Sequence, residues 1–419
     1  MNQNKNTIAF GEAQKIISPK AFTTLVKPVG SNCNMRCTYC YYLDKGLLYN
    51  MEEPIMSDEL LKEYIAQYIE ANDVDTITFC WHGGEPLLAG IKFYEKAMQY
   101  QRKFANGKKI ENTLQTNGIL INDEWCKFFK ANNFLIGLSL DGPEDVHDAY
   151  RKNVGGAPTF AKVMRAAELM TYHSVEFNTL SVVNDRCAGR GVEIYNFFKS
   201  IGSHYMQFLP AVEYVSDSQL EKLGNRGRIL SPDNASLGSV SEWSTDPIDF
   251  GRFMCDIFDE WIKKDVGTYY VQMFDVTLAN WYGVKPGLCA FAKSCGDGLV
   301  VEHNGDVYSC DHFVYPEYLL GNIKTDDLKT IYSSKKQFRF GISKRNGLPE
   351  GCMRCKYYFA CTGGCPKHRF GKSEESPKAN YLCEGYKMFF EHVHPYMDKM
   401  CDLLRNNQTA SKIMDDNKE

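Results

Sequence analysis

Apolar and polar positions alternate in a way that sorts the first half of the chain into repeating strand and helix units. Phe22 to Val29 reads as a strand. Residues 51–72 follow with a helical stripe of Leu60, Leu61, Tyr64, Ile65, Tyr68 and Ile69, and Ser57 is placed to cap it. The next strand, Asp75 to Cys80, runs into the segment WHGGEP. Helices are then expected near 91–105, 122–132, 159–173 and 188–200, and strands at 110–115, 134–140, 176–183 and 204–209. Six strands, each but the last followed by a helix, predict an α/β fold with parallel pairing through right-handed crossovers. Periodicity alone leaves open a partial (β/α)6 barrel of the TIM type and a doubly wound sheet. In a barrel, ligands gather at the C-terminal strand ends.

The second half has a different texture. Residues 211–245, which include SPDNASLGSVSEWSTDP, are rich in Ser, Asp, Asn and Gly and read as a tether or a long substrate-facing loop. Asp249 to Lys264 is an amphipathic helix with Phe250, Phe253, Ile257, Phe258 and Trp261 apolar, and Val271 to Trp281 is a further helix. From Cys289 onward cysteines crowd the chain. The run DGLVVEHNGDVYSCD alternates as a β-hairpin with Asn304-Gly305 at its turn, which presents Cys310 and Asp311. After Cys383 an apolar-striped helix extends to about Leu404, and the polar tail QTASKIMDDNKE is expected to fray. The units expected are an N-terminal arm (1–20), a β/α domain (21–245), a helical linker (246–285), a small cysteine-rich domain with a hairpin (286–384), and a C-terminal helix and tail (385–419).

Composition narrows the class. A chain of 419 residues can form two or three domains, one with a sizeable core. Its 44% hydrophobic and 24% charged residues are ordinary for a soluble globular protein. The net charge of -4 gives no field that collects nucleic acid, and no basic groove pattern is present. No run approaches membrane-spanning length, and the first twenty residues lack the apolar segment of a signal peptide, so a cytoplasmic location is expected. There, sixteen cysteines are thiols or metal ligands rather than a disulfide scaffold. Cys80, Cys126, Cys187, Cys255 and Cys401 lie mostly in apolar strand or helix patterns and are expected to be packed thiols.

The stretch SNCNMRCTYCYYL, residues 31–43, sets Cys33, Cys37 and Cys40 in a C-x3-C-x2-C run just after the first strand. Soft thiolates at this spacing admit zinc or iron–sulfur. Three ligands would leave one iron of a cubane open. With Tyr39 before the last cysteine, the run resembles the signature of the radical S-adenosylmethionine (SAM) enzymes. The resemblance implies the partial barrel, and a [4Fe–4S] cluster whose fourth iron chelates the methionine end of SAM. Gly83 and Gly84 permit close backbone approach and Pro86 stiffens the turn. Gly83-Gly84-Glu85-Pro86 is similar to the family segment whose backbone receives the cofactor's amine. Asn117 ends the third strand, Ser139 in LSLDG ends the fourth, and Arg151 lies shortly beyond. The resemblance implies that Ser139 and Arg151 meet the ribose and carboxylate regions of SAM, with Tyr39 and Asn117 in the same contact set. A guanidinium suits a carboxylate because it can clamp it bidentately. Tyr42 and His82 flank the cysteine loop and the glycine turn and are candidate substrate contacts.

Eight further cysteines, Cys289, Cys295, Cys310, Cys352, Cys355, Cys361, Cys365 and Cys383, are the number needed for two four-thiol sites. Two structural zinc sites are one reading. Their spacing, C-x5-C-x14-C followed by C-x2-C-x5-C-x3-C-x17-C, resembles the twin-auxiliary-cluster (SPASM) domain of peptide-modifying radical enzymes. Carried over, Cys289, Cys295, Cys310 and Cys365 would bind one [4Fe–4S] cluster. Cys352, Cys355, Cys361 and Cys383 would bind the other, for three clusters in all.

From residue 20 to 400 the chain resembles the anaerobic sulfatase-maturating enzymes, on TLVKPVGSNCNMRCTYCYYLDK, WHGGEP, LSLDGPEDVHD and the Cys310-Asp311 dipeptide. Several relatives carry a glutamine at the place of His82. The resemblance implies oxidation of a cysteine or serine, in a C/S-x-P-x-R stretch of an unfolded sulfatase, to Cα-formylglycine by a 5'-deoxyadenosyl radical without oxygen. It also implies Asp311 as the base for the thiol or hydroxyl proton, and a one-electron donor such as flavodoxin or ferredoxin, with a monomer expected. A general base must come within hydrogen-bond reach of its proton. Another peptide-modifying radical enzyme, forming a thioether or carbon–carbon crosslink, and a non-catalytic electron carrier or metal-stapled binding protein are the alternatives.

Overall fold

Six parallel strands carry the first half of the chain: β1 (Thr23–Lys27), β2 (Thr76–Trp81), β3 (Lys109–Thr116), β4 (Phe134–Ser139), β5 (Phe177–Val183) and β6 (Tyr205–Pro210). The computed structural model describes residues 21–48, 54–215, 239–370, 372–373, 376–377 and 379–418. The expected N-terminal arm and most of the polar 211–245 stretch therefore lie outside the described residues. The six strands stand side by side in chain order, all parallel, with helices as the crossovers. All six C-terminal ends consequently open at one end of the sheet.

Local sequence accounts for these elements. In β4, Phe134, Ile136 and Leu138 are buried while Leu135, Gly137 and Ser139 are half-buried on the other face. Helix Asp58–Ala71 buries the six apolar residues of its stripe, and Ser57 accepts a hydrogen bond from the Leu60 amide at 3.2 Å. Asp246 caps helix Pro247–Lys264 in the same way, and that helix packs along Cys383–Arg405. An additional short helix, Glu144–Tyr150, fills the connection between β4 and Arg151.

The sheet differs from the six strands expected. It has ten, three of them added beside β1: Gly298–Glu302 pairs parallel with β1 from Thr23↔Gly298 to Lys27↔Glu302 and carries its hairpin partner Asp306–Tyr308 and the strand Leu319–Asn322 with it. The expected Asn304-Gly305 turn is present, with the Asp306 amide donating to Asn304 Oδ1 at 3.1 Å. The hairpin thus continues the main sheet. An uncovered β1 would expose a row of unpaired backbone groups, and Leu299, Val300 and Val301 are fully buried by this pairing. At the other edge Tyr270–Val271 pairs with β6, so the stretch expected to be a helical linker also contributes a strand. The tail was expected to fray; instead Ala410–Lys418 forms a 3-10 helix whose Ile413 is 2% exposed in the main core. Ala410 and Met414 pack against the same core, so three apolar residues in a polar run anchor the segment on the neighbouring helix pair. Among the described residues no helix is long and apolar enough to cross a membrane.

Candidate active site

The cysteine loop leaves β1 and is held from two sides by backbone. On one side it runs antiparallel to residues 150–154: the Arg36 amide donates to the Lys152 carbonyl at 2.8 Å and the Thr38 amide to the Tyr150 carbonyl at 3.0 Å. On the other side the glycine turn after β2 presses against it. The Gly84 amide donates to Gly30 O at 2.9 Å and the Glu85 amide to Asn32 O at 2.8 Å. A Cβ on Gly84 would lie 2.1 Å from Asn32 O, so only glycine fits this approach. Cys33, Cys37 and Cys40 are half-buried electrostatic neighbours. Burial pushes the thiols of Cys33 and Cys37 up to about 12, while the Met35 amide at 3.3 Å from Cys33 Sγ and the nearby Arg151 act in the opposite direction. Metal binding at such thiols releases their protons.

Glu85 and Asn117 bind the strand ends to this loop. Glu85 is fully buried, with Oε1 accepting from the Leu87 amide (3.0 Å) and the Thr116 hydroxyl (2.8 Å), and Oε2 from the Asn117 amide (2.8 Å). Burial raises its carboxyl to about 7 against those three donors. Asn117 Nδ2 donates to Asn34 Oδ1 at 2.7 Å, inside the cysteine loop. Ser139 accepts from Gln115 Nε2 at 2.8 Å and stays half-buried. The Tyr39 hydroxyl donates to Asp141, and Arg151 Nη1 donates to that same hydroxyl at 3.0 Å while lying 3.7 Å from Asp141 Oδ1. These three buried groups lock the last turn of the loop to the end of β4. Sequence reasoning missed Asp141; its signal was an acidic residue directly after an apolar strand, in LSLDG.

Asp311 sits on a short 3-10 turn, Asp311–Phe313, just beyond the hairpin. Its carboxylate accepts from the Tyr41 hydroxyl and pairs with Lys27 Nζ at 2.5 Å. Burial alone would raise this carboxyl, but the neighbouring Lys27, His82 and His312 hold it well below the ordinary carboxylate range. Lys27, the last residue of β1, is fully buried; its ammonium also lies 3.0 Å from His82 Nδ1 and 4.2 Å from the centre of the Tyr42 ring. Tyr42 itself is buried and donates to Glu302. Next to this cluster Lys367 pairs with Glu213 at 2.5 Å and stands 4.6 Å from the Tyr41 ring centre. Lys27, Tyr41, Glu213, Glu302 and Lys367 were not identified from sequence. A lysine at a buried position of a strand was the one available signal.

The eight later cysteines fall into two neighbourhoods. Cys289, Cys295, Cys310 and Cys365 are electrostatic neighbours of one another, and so are Cys352, Cys355, Cys361 and Cys383. The first set is braced by Lys344, whose ammonium donates to the carbonyls of Cys289, Ala290 and Ala292 at 2.8, 2.8 and 2.5 Å. Among the described residues no three His, Cys, Asp or Glu side chains are grouped as a single metal ion requires. Of the five remaining cysteines, Cys126, Cys187, Cys255 and Cys401 are buried and Cys80 is half-buried in β2.

Comparison with known proteins gives a consistent result. Residues 28–183 match the family model "Radical SAM superfamily", and residues 289–356 match "Iron-sulfur cluster-binding domain". The serine-type anaerobic sulfatase-maturating enzyme of Bacteroides thetaiotaomicron is 48% identical over 398 residues, covering 94% of this chain and 95% of its own. The cysteine-type enzyme of Clostridium perfringens is 36% identical over 375 residues, covering 88% and 96%. Among solved structures, native anSMEcpe with bound AdoMet and Cp18Cys peptide superposes with a TM-score of 0.79 at 33% identity, covering 91% of this chain and 99% of that one.

Proposed function

The chain belongs to the anaerobic sulfatase-maturating enzymes of the radical SAM superfamily, and on that premise we propose how its residues carry the family reaction. The reaction oxidises a cysteine or serine of a C/S-x-P-x-R stretch in an unfolded sulfatase to Cα-formylglycine, without oxygen. In this reading the six β/α units form a partial barrel, residues 21–245, joined through the 246–285 segment to a SPASM domain, residues 286–384.

The donor sets suit three [4Fe–4S] clusters. Cys33, Cys37 and Cys40 would hold the first; Cys289, Cys295, Cys310 and Cys365 the second; Cys352, Cys355, Cys361 and Cys383 the third. The support is that the thiols, all half-buried except the exposed Cys289, gather in groups of this membership. SAM would lie against the Gly83-Gly84 turn, Ser139 and Arg151. When bound, these groups would supply the one-electron chemistry that removes a hydrogen atom from the substrate Cβ and would take up the second electron as that carbon is oxidised. Glu85, Asn117 and Tyr39 act one step back: their polar atoms are engaged in holding the cysteine loop, the glycine turn and Arg151 in place.

Asp311 is the group that takes the thiol or hydroxyl proton as Cβ becomes a thioaldehyde or aldehyde; water then replaces sulfur in the cysteine case. The observation that carries this assignment is Asp311's setting: an ionised carboxylate, only 13% exposed, held by Lys27 and Tyr41 beside Cys310. A carboxylate fixed in that way needs no rearrangement to accept a proton. A flavodoxin- or ferredoxin-like donor, a monomeric state and a cytoplasmic location complete the reading.

Anaerobic incubation with serine and cysteine peptides of this motif tests it by mass spectrometry. Both products lack two hydrogens, the cysteine product also carries oxygen in place of sulfur, and both react as aldehydes. Asp311→Asn is expected to lower conversion on the order of a hundredfold or more. Undiminished conversion in that variant would remove Asp311 from the reaction.

A further inference from the structure

His82 ends β2 with its two ring nitrogens in different situations. The Gly83 backbone N–H donates to Nδ1 at 2.8 Å. Lys27 Nζ lies 3.0 Å from the same Nδ1. An amide N–H and an ammonium can only donate, so Nδ1 must present its lone pair to both. The proton of a neutral ring is therefore on Nε2. The ring is kept neutral by its surroundings, since burial and the adjacent Lys27 lower its pKa to about 4. Nε2 has no hydrogen-bond partner among the described residues, and the side chain is half-buried rather than sealed.

Lys27 cannot swing away from this arrangement. It is fully buried, pairs with Asp311 Oδ1 at 2.5 Å, and stands over the Tyr42 ring at 4.2 Å. One ammonium thus holds a fixed donor, His82 Nε2–H, and a fixed acceptor, the Asp311 carboxylate, next to each other. A hydroxyl is both donor and acceptor and matches such a pair; a thiol matches it less well because sulfur is a weak acceptor.

We infer that Lys27 is a positioning residue which, together with the Gly83 amide, sets His82 as a hydrogen-bond donor to the substrate side chain, so that the site favours a hydroxyl over a thiol. The inference rests on the reading above that the reacting residue is serine or cysteine. His82 meets the lone pair of the substrate oxygen while Asp311 meets its proton. His82 is not a base in this arrangement, since its only free nitrogen carries the hydrogen.

The test measures the affinity of the cluster- and SAM-loaded enzyme for three peptides identical except for Ser, Cys or Ala at the reacting position. The wild-type protein should bind the serine peptide roughly three- to tenfold more tightly than the alanine peptide, the weight of one neutral hydrogen bond, with the cysteine peptide between them. His82→Gln, which keeps an N–H donor, should retain that ratio, and His82→Leu should abolish it. Equal loss in both variants overturns the donor assignment. Lys27→Met should abolish the ratio when His82 is present and leave it intact in the His82→Gln background, because an amide has no tautomer to set. The same loss in both backgrounds means that Lys27 acts through Asp311 alone and overturns the inference. If Lys27→Met does not fold, the two His82 variants still decide the donor assignment on which it depends. Conversion of the serine peptide by the same wild-type preparation separates the two levels. A preparation that makes no aldehyde fails the functional reading, and one that makes it while the ratio ignores these variants fails only this inference.

Discussion

Replacing Gly84 with alanine should detach the glycine turn from the cysteine loop. The new Cβ would lie 2.1 Å from Asn32 O, 2.6 Å from Asn32 C and 2.7 Å from Ser31 C, all backbone atoms with no side-chain freedom to yield. Ordinary contact starts near 3.4 Å, so the two segments must part by more than 1 Å. Overpacking of this kind costs about 1–3 kcal/mol. Parting also lengthens the Gly84–Gly30 and Glu85–Asn32 hydrogen bonds, now 2.9 and 2.8 Å, at about 1 kcal/mol each. A local cost of about 3–5 kcal/mol is a large share of the roughly 5–15 kcal/mol that stabilises a folded domain. The strain falls on residues 31–33, at the root of the first thiol group, and leaves the eight later cysteines untouched. Iron and sulfide analysis after anaerobic reconstitution should therefore show a drop from about twelve irons per chain to about eight, with loss of SAM cleavage. A variant with full iron content and an unchanged melting temperature would refute the steric argument.

Three other outcomes are expected. Tyr39→Phe removes the hydroxyl that Asp141 accepts from and Arg151 donates to, and should lower stability by about 1–3 kcal/mol in denaturant titration; no change would mean that the lock is redundant. The Glu85 carboxyl, ordinarily near 4.5, is raised to about 7 by burial, so the folded state holds its proton more tightly than the unfolded chain does. Its contribution to stability is complete below pH about 4.5 and is lost as the pH rises through about 7, up to about 3 kcal/mol; Glu85→Gln should flatten the pH dependence of the urea midpoint over that window, and parallel profiles would argue against it. Ile413→Ala should cost about 2–4 kcal/mol and shorten the time to proteolytic loss of the C-terminus, whereas a fraying tail would show neither effect.

Much of this protein could be read from its residue pattern because local periodicity reports directly on local structure. The six strands and their helices follow from which positions are apolar, and Ser57 and the stripe Leu60 to Ile69 reappear with the same cap and the same buried face. The thiol positions and Asp311 were visible because cysteine spacing and a motif are properties of the chain itself. Tertiary structure alone decided the pairings between distant segments. Nothing near Thr23 announces that β1 will pair with Gly298–Glu302, about 275 residues away, since a free strand edge accepts any compatible partner. The same holds for the charges. Lys27 is an unremarked lysine in an apolar strand until the fold brings Asp311, His82 and Tyr42 around its ammonium, and Asp141 is only a turn residue until Tyr39 and Arg151 arrive from either side. Which groups share a buried space depends on chain topology, and in that space short distances and low polarity give each charge its role.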